Sequence, residues 1–296
     1  MNVYEQLKRH QKVPVRLVGL DLDGTVFTED KVITPRTIHA ISRAIESGIT
    51  VLPATGRPEI GIPEAFLNIP GVRYCLCSNG AEIMDRQEKK PIYQNCLSPE
   101  KVFEIIPWFL EQECTCELYM YKGIYGEYRQ KAFWEKVIPN PGILDYVRKT
   151  RTLVEDLTAF YQDNPVPVDK INTSFGDDGL KQQAFERLQK VSGIAISSGT
   201  PANLEVNKED CDKGEGLLAL GRILGIPKES VMACGDSSND LAMIEKVGCG
   251  VAMGNALPEI LKAADITTLS NEEEGVAELL EAVMRLNEEL AQGGIQ

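Results

Sequence analysis

Histidine is nearly absent from this chain, with two residues in 296. Acid–base chemistry must therefore fall on carboxylates. No Cys-x-x-Cys occurs, and the eight cysteines sit mostly inside apolar segments, as Cys75 and Cys77, Cys114 and Cys116, Cys234 and Cys249 do. Cys-x-Cys spacing within apolar surroundings suits one face of a strand better than a zinc site, so reduced, buried thiols and a cytoplasmic location are expected, with neither disulfides nor zinc. No run of 18 or more apolar residues appears, and Met1 to His10 is polar and helical in character. Neither a membrane span nor a secretory signal is expected. Positive charge is also in deficit: 31 Lys and Arg stand against 44 Asp and Glu, a formal net charge of −13. Phosphate backbones and anionic bilayers repel such a chain, which argues against nucleic acid and membrane partners. A small anionic substrate would need positive charge placed locally, by a metal or a few cations.

What is present is ordinary for a globular protein, with 43% apolar and 25% charged residues. The length is comfortable for two domains. The first third alternates strand and helix. An apolar strand at Arg16–Leu20 leads through a loop to a helix that Thr34 can cap, with Pro35 at its first position and Gly48 at its end. Strands at Ile49–Thr55 and Tyr74–Ser78 follow, with a helix opening near Pro58 between them. The last third repeats the pattern: a helix from Lys213, strands at Ser230–Cys234 and Cys249–Met253, helices from Asp240 and Leu257, and a short edge strand at Asp265–Leu269. The acidic run Glu272–Glu274 reads as the macrodipole-favoured start of a closing helix. Alternation at this spacing predicts a parallel sheet with helices on both faces.

Between about Met84 and Asn207 the texture changes. Nine of the 19 aromatics fall between Phe103 and Trp134, and Cys114–Tyr121 alternates as a strand does. The pieces that follow read as strand, helix, strand, strand, an α+β pattern. This segment is expected to be a second domain inserted at a loop of the first, giving residues 1–83 and 208–296 as one domain and 84–207 as the other. Its aromatics are expected mainly as domain core.

Four strands of the outer domain end in polar clusters: Asp21-Leu-Asp23-Gly-Thr25, Thr55-Gly-Arg57, Ser78-Asn-Gly80 and Gly235-Asp-Ser-Ser-Asn-Asp240. Ligands bind outside the carboxyl ends of strands in open α/β sheets, so the four should converge on one site. Asp21 and Asp23, one residue apart, point the same way from an extended backbone and repel unless a cation joins them or one stays protonated. Taken alone the pair could be a solvated turn. Asp21, Asp23 and Asp236 together supply hard oxygens suited to Mg2+. Thr55 offers a hydroxyl, Gly24 and Gly56 allow backbone amides close to an anion, and Lys213 can neutralise a phosphate and a carboxylate nucleophile together. An aspartate nucleophile with a second carboxylate as acid and then base fits Asp21 and Asp23. Arg57 could bind substrate or pair with a carboxylate. Asn255 could reach the site or serve a turn, and His39 is expected to be structural.

Asp21–Thr25, Thr55–Arg57, Lys213-Gly214 and Gly235–Asp240 resemble the four ordered motifs of the haloacid dehalogenase superfamily. The Ser78-Asn-Gly-Ala81 turn before a large α/β insertion is similar to its Cof-type phosphatases with a type IIB cap. The resemblance implies a Rossmann-like three-layer α/β/α core with an inserted α+β cap that closes over the site. It implies Asp21 as nucleophile and Asp23 as general acid/base, with Mg2+ held by Asp21, the Asp23 backbone carbonyl and Asp236. Thr55 and Lys213 would grip the phosphoryl group together with Gly56 and Asn239. Asn239 and Asp240 would support the metal and the lysine, and Asn79 would lie at the core–cap entrance. The expected activity is a Mg2+-dependent phosphatase acting on a small phosphorylated metabolite such as a sugar phosphate, in a monomer or homodimer. A phosphomutase and a non-catalytic phosphometabolite-binding regulator are the alternatives; the second should have lost the nucleophile, acid or lysine, and none is lost.

Overall fold

The computed structural model describes residues 2–120, 123–138 and 141–293. Tyr121, expected to end an aromatic-rich strand, lies outside them. The chain divides into two compact units, Met1–Tyr93 with Asp212–Gln296, and Gln94–Cys211. The first unit opens with strands β1 (Leu17–Leu20), β2 (Thr50–Pro53), β3 (Tyr74–Cys77), β4 (Glu82–Asp85) and β5 (Lys90–Gln94). The second contains β6 (Glu117–Met120), β7 (Gly123–Glu127), β8 (Arg151–Val154), β9 (Val168–Ser174), β10 (Ile194–Ser197) and β11 (Asn203–Lys208). The chain then returns to the first with β12 (Val231–Gly235), β13 (Cys249–Ala252) and β14 (Ile266–Thr267).

The first unit is built on a parallel sheet in the order β14-β13-β12-β1-β2. A parallel bridge from Ala54 to Leu76 leads on to β3, which pairs antiparallel with β4 in a separate β3-β4-β5 sheet. β1 and β12 are buried at every residue, as strands covered on both faces must be. One helical layer contains Pro35–Glu46, which packs on Gly275–Gly293, itself packed on Val3–His10; the other contains Lys213–Leu224, Leu241–Lys246 and Pro258–Ala263. The result is a Rossmann-like three-layer α/β/α core. The Thr34 hydroxyl accepts the Thr37 N–H at the start of its helix, as expected.

Three expectations shift. Residues 84–93 stay with the first unit rather than the insert, because β4 and β5 join the sheet of β3, and β11 carries the second boundary past Asn207 to Cys211. The helix expected from Pro58 is reduced to a 3-10 turn, Glu59–Gly61, and a single turn, Glu64–Leu67, with Pro63 between them unable to donate a backbone hydrogen bond. The closing helix begins at Gly275, not Glu272. Glu274 is left-handed (φ 61), Glu272 accepts the Glu29 N–H, and Glu274 pairs with Arg36, so the acidic run forms a turn.

The second unit is a six-stranded sheet, β10-β11-β9-β6-β7-β8. One face carries Leu118, Ile171 and Val206 against Ile105 and Phe109 of helix Pro99–Leu110, with Tyr161 and Leu188 in the same core. The register Glu117↔Asn172↔Glu205 puts a polar set on the opposite face. There Arg151 bonds Glu117 (3.0 Å), Asn172 bonds Glu117 (3.2 Å), Asn203 bonds Asn172 (2.9 Å) and Lys170 bonds Glu205 (2.7 Å), all of these residues but the partly buried Arg151 being buried. Tyr119 lies in this set, with Lys170 and Arg151 over its ring. All eight cysteines are free. No helix among the described residues is long and apolar enough to cross a membrane.

Candidate active site

The sheet of the first unit delivers its polar residues where its parallel strands end. Past β1, Asp21 donates its N–H to the Cys234 carbonyl (3.0 Å) and tucks its carboxylate inward, 5% exposed. Lys213 opens the helix Lys213–Leu224, whose first turn is capped by Asp212. Its side chain is wholly buried, and Nζ donates to Asp21 Oδ1 and Asp240 Oδ1, each at 2.6 Å. Past β12 the chain turns through a capping box in which Ser237 and Asp240 satisfy each other's backbone N–H groups. Asp240 Oδ2 also accepts the Asp236 N–H (3.0 Å), so one buried carboxylate fixes both the loop and the lysine. The Thr25 hydroxyl donates to Asp236 Oδ1 (3.2 Å). Gly24 is left-handed (φ 83), and a Cβ there would collide with the Asp236 carboxylate.

Oxygens of Asp21, Asp236 and Asp240 all lie within 4.8 Å of one another. Burial, reinforced by Asp240, pushes Asp21 up to about 8 against the pull of Lys213, and burial with Asp240 raises Asp236 to about 6. Burial opposes the charge on Lys213, but Asp21 and Asp240 outweigh it and hold the ammonium above its ordinary pKa. Three carboxylates therefore face one ammonium. A divalent cation would relieve the excess negative charge, and the all-oxygen donor set is the kind that Mg2+ takes. Asp236 is only partly buried, which leaves the cluster an open side.

Asp23 separates from its neighbour. Its carboxylate is 41% exposed and engages Arg57 (Nη2–Oδ2 2.7 Å, Nε–Oδ2 3.1 Å) and Lys31 (2.9 Å). Burial raises the carboxyl, but Arg57 and Lys31 together prevail and hold it below the ordinary carboxylate range. The expectation that both side chains enter one cluster is thus corrected. Asp240 stands where the donor types had placed the Asp23 carboxylate, beside Asp21 and Asp236; the resemblance gives Asp23 its metal role through the backbone carbonyl instead. Arg57 pairs with Asp23, one of its two expected uses.

The remaining motif residues meet nearby. Thr55 is buried, and its hydroxyl accepts the Arg57 N–H (3.2 Å). A Cβ on Gly56 would stand 2.8 Å from Asn79 Oδ1 and 3.9 Å from Asn239 Nδ2, so these three converge. Asn239 Oδ1 accepts the Ser237 hydroxyl (2.8 Å). Ser78, Asn79 and Gly80 are all left-handed (φ 50, 61 and 100), which lets the loop pass against the Asp212 carbonyl while Asn79 donates its N–H to Thr55 (3.0 Å). Asn255 donates to the Gly24 carbonyl (2.8 Å) and accepts the Asn271 N–H, tying two strand-end loops together. His39 is exposed on its helix. Lys31 and Ser237 were missed. Ser237 stood inside a quoted motif with a capping-box signal; Lys31 sits in an irregular loop, where no periodicity marks it.

The haloacid dehalogenase-like hydrolase family matches residues 18–280, and the chain belongs to that family. It is 25% identical to Phosphatase YwpJ of Bacillus subtilis over 91% of this chain and all of that one. It is 26% identical to the 5-amino-6-(5-phospho-D-ribitylamino)uracil phosphatase YcsE of the same organism, over 92% of this chain and 97% of that one. The subclass IIB sugar phosphatase BT4131 shares the fold, with a TM-score of 0.74 and 21% identity over 90% of this chain and 98% of that one. The curated relatives it matches along nearly its whole length are named phosphatases.

Proposed function

We propose that the protein hydrolyses a small phosphorylated metabolite through a phosphoryl group carried on Asp21, with Mg2+ bound at the aspartate cluster. The carrying observation is the pair of 2.6 Å contacts by which buried Lys213 joins Asp21 to Asp240. They hold Asp21 in one orientation with its second oxygen unused by the lysine. Asp21 and Asp236 would hold the metal with the Asp23 carbonyl, and Asp240 supports both the lysine and the loop. Bound there, Mg2+ supplies charge that lets a phosphate dianion approach a carboxylate.

In the first half, an Asp21 oxygen bonds to phosphorus as the ester P–O bond breaks, and Asp23 gives a proton to the departing alkoxide. In the second, Asp23 takes a proton from water, whose oxygen bonds to phosphorus as the bond to Asp21 breaks. The enzyme is regenerated and inorganic phosphate leaves. The Arg57 and Lys31 contacts favour ionised Asp23, the form the second half needs. An incoming phosphate competes for those cations and adds negative charge beside Asp23, both of which favour the protonated form the first half needs. Lys213, Thr55, Gly56 and Asn239 would bind the transferring oxygens.

The relatives' substrates support a phosphate ester of a sugar or sugar-like alcohol as cargo. The test is phosphate release from p-nitrophenyl phosphate and a panel of phosphorylated metabolites, with Mg2+ and after chelation. Release that needs Mg2+ and favours sugar-like esters is expected. Release unaffected by chelation would contradict the metal's role, and phosphate appearing only with a bisphosphate activator would favour a mutase.

A further inference from the structure

We propose that His10, Cys249 and Asp265 form a second metal site, for a borderline divalent cation such as Zn2+, at the ends of the strands opposite the aspartate cluster. Cys249 is the first residue of β13, Asp265 immediately precedes β14, and His10 ends the helix Val3–His10. In a parallel sheet that is the edge away from Asp21 and Asp236, which follow β1 and β12.

One ligating atom from each of the three residues lies within 4.8 Å of the others. His10 Nε2 stands 3.6 Å from Asp265 Oδ2 and 3.3 Å from the Gly248 carbonyl. Neighbouring donors around a tetrahedral zinc ion with bonds of about 2.0–2.3 Å lie roughly 3.3–3.8 Å apart, so the His10–Asp265 pair already stands at that spacing and the thiol, within 4.8 Å, closes the rest. The donor types decide the ion: imidazole, thiolate and carboxylate suit Zn2+, whereas Mg2+ takes oxygens. Asp265 Oδ2 also accepts the Gly250 N–H (2.8 Å), which fixes the carboxylate's direction. His10 and Asp265 are each about one-third exposed (34% and 35%), so an ion has an approach and water has a fourth position, while Cys249 closes the inner side. Binding releases the Cys249 proton to solvent, and the thiolate and carboxylate balance the ion's charge. The bound metal would staple the N-terminal helix to the sheet edge. An ordinary His10–Asp265 ion pair would require neither the thiol nor a metal, which separates the two accounts.

Cobalt(II) is the probe, added to the reduced, metal-free full chain in excess Mg2+ so that the aspartate cluster is filled. Wild type should develop a tetrahedral cobalt–thiolate absorption that saturates at one equivalent and is displaced by Zn2+. Cys249→Ser should lose it, His10→Ala should bind at least about tenfold more weakly, and Asp236→Asn should behave as wild type. His10 lies at the surface, so its variant keeps the test valid even if Cys249→Ser fails to fold. No thiolate band in wild type, a band surviving Cys249→Ser, or unchanged affinity in His10→Ala would overturn the site.

Discussion

Lys213 is the residue on which the site's charge balance turns. Fully buried, it neutralises part of a cluster whose carboxylates otherwise face one another. Removing one partner of a buried ion pair leaves uncompensated charge and costs about 3–5 kcal/mol. Lys213→Met should therefore lower unfolding free energy in urea by that order and abolish phosphate release; a variant as stable as wild type would show that the lysine carries no such balance. Asp85 offers a pH test away from the chemistry. Arg73 bonds it through Nε and Nη2 (3.0 and 2.6 Å) and holds its carboxyl below the ordinary carboxylate range, assisted by the N–H groups of Glu88 and Gln87. A folded-state pKa that is depressed contributes stability above the unfolded-state value of about 3.9, and the contribution is lost as pH falls through the folded value. The stability gap between wild type and Asp85→Asn should thus be constant near neutrality and shrink below about pH 4. A gap independent of pH would contradict the assignment.

Among the elements, the helix Lys213–Leu224 matters most, because its seating sets where Lys213 begins. It lies close to its neighbour through Gly214, where a Cβ would stand 2.6 Å from the Ala242 carbonyl. Gly214→Ala must push the two helices apart, so activity should fall by at least about tenfold, since displacements near 1 Å carry penalties of that order and more. Wild-type turnover in this variant would mean that the helix seat does not position the site. At this scale the sequence was legible wherever local rules govern. The Thr34-Pro35 start and Gly48 stop marked one helix, and uniformly apolar runs marked β1 and β12. It was less legible where a tertiary partner decides. Glu272–Glu274 has the composition of a helix start but is drawn into a turn by Glu29 and Arg36, contacts across the fold that no local pattern announces.

For the whole molecule, the parallel sheet and the convergence of motif residues at its strand ends followed from the alternation of elements. The split of the aspartate pair did not. Period-two reasoning placed Asp21 and Asp23 together, but Lys31 and Arg57, brought in by other segments, turn the second carboxylate to themselves. Likewise β4 and β5 belong to the first unit because they pair with β3, a registration visible only once the sheet exists. A metal that binds only the folded chain stabilises it by mass action, by about 2.7 kcal/mol at a hundredfold excess over its dissociation constant. Mg2+ should accordingly raise the melting temperature of wild type and leave Asp236→Asn nearly unmoved; equal shifts in both would place the ion elsewhere. The central claim, that the phosphoryl group passes through Asp21, is tested most directly by the rate of phosphate release from p-nitrophenyl phosphate in Mg2+ for wild type and Asp21→Asn, each confirmed folded. A fall of about three orders of magnitude or more is predicted, and equal rates in the two proteins would contradict it.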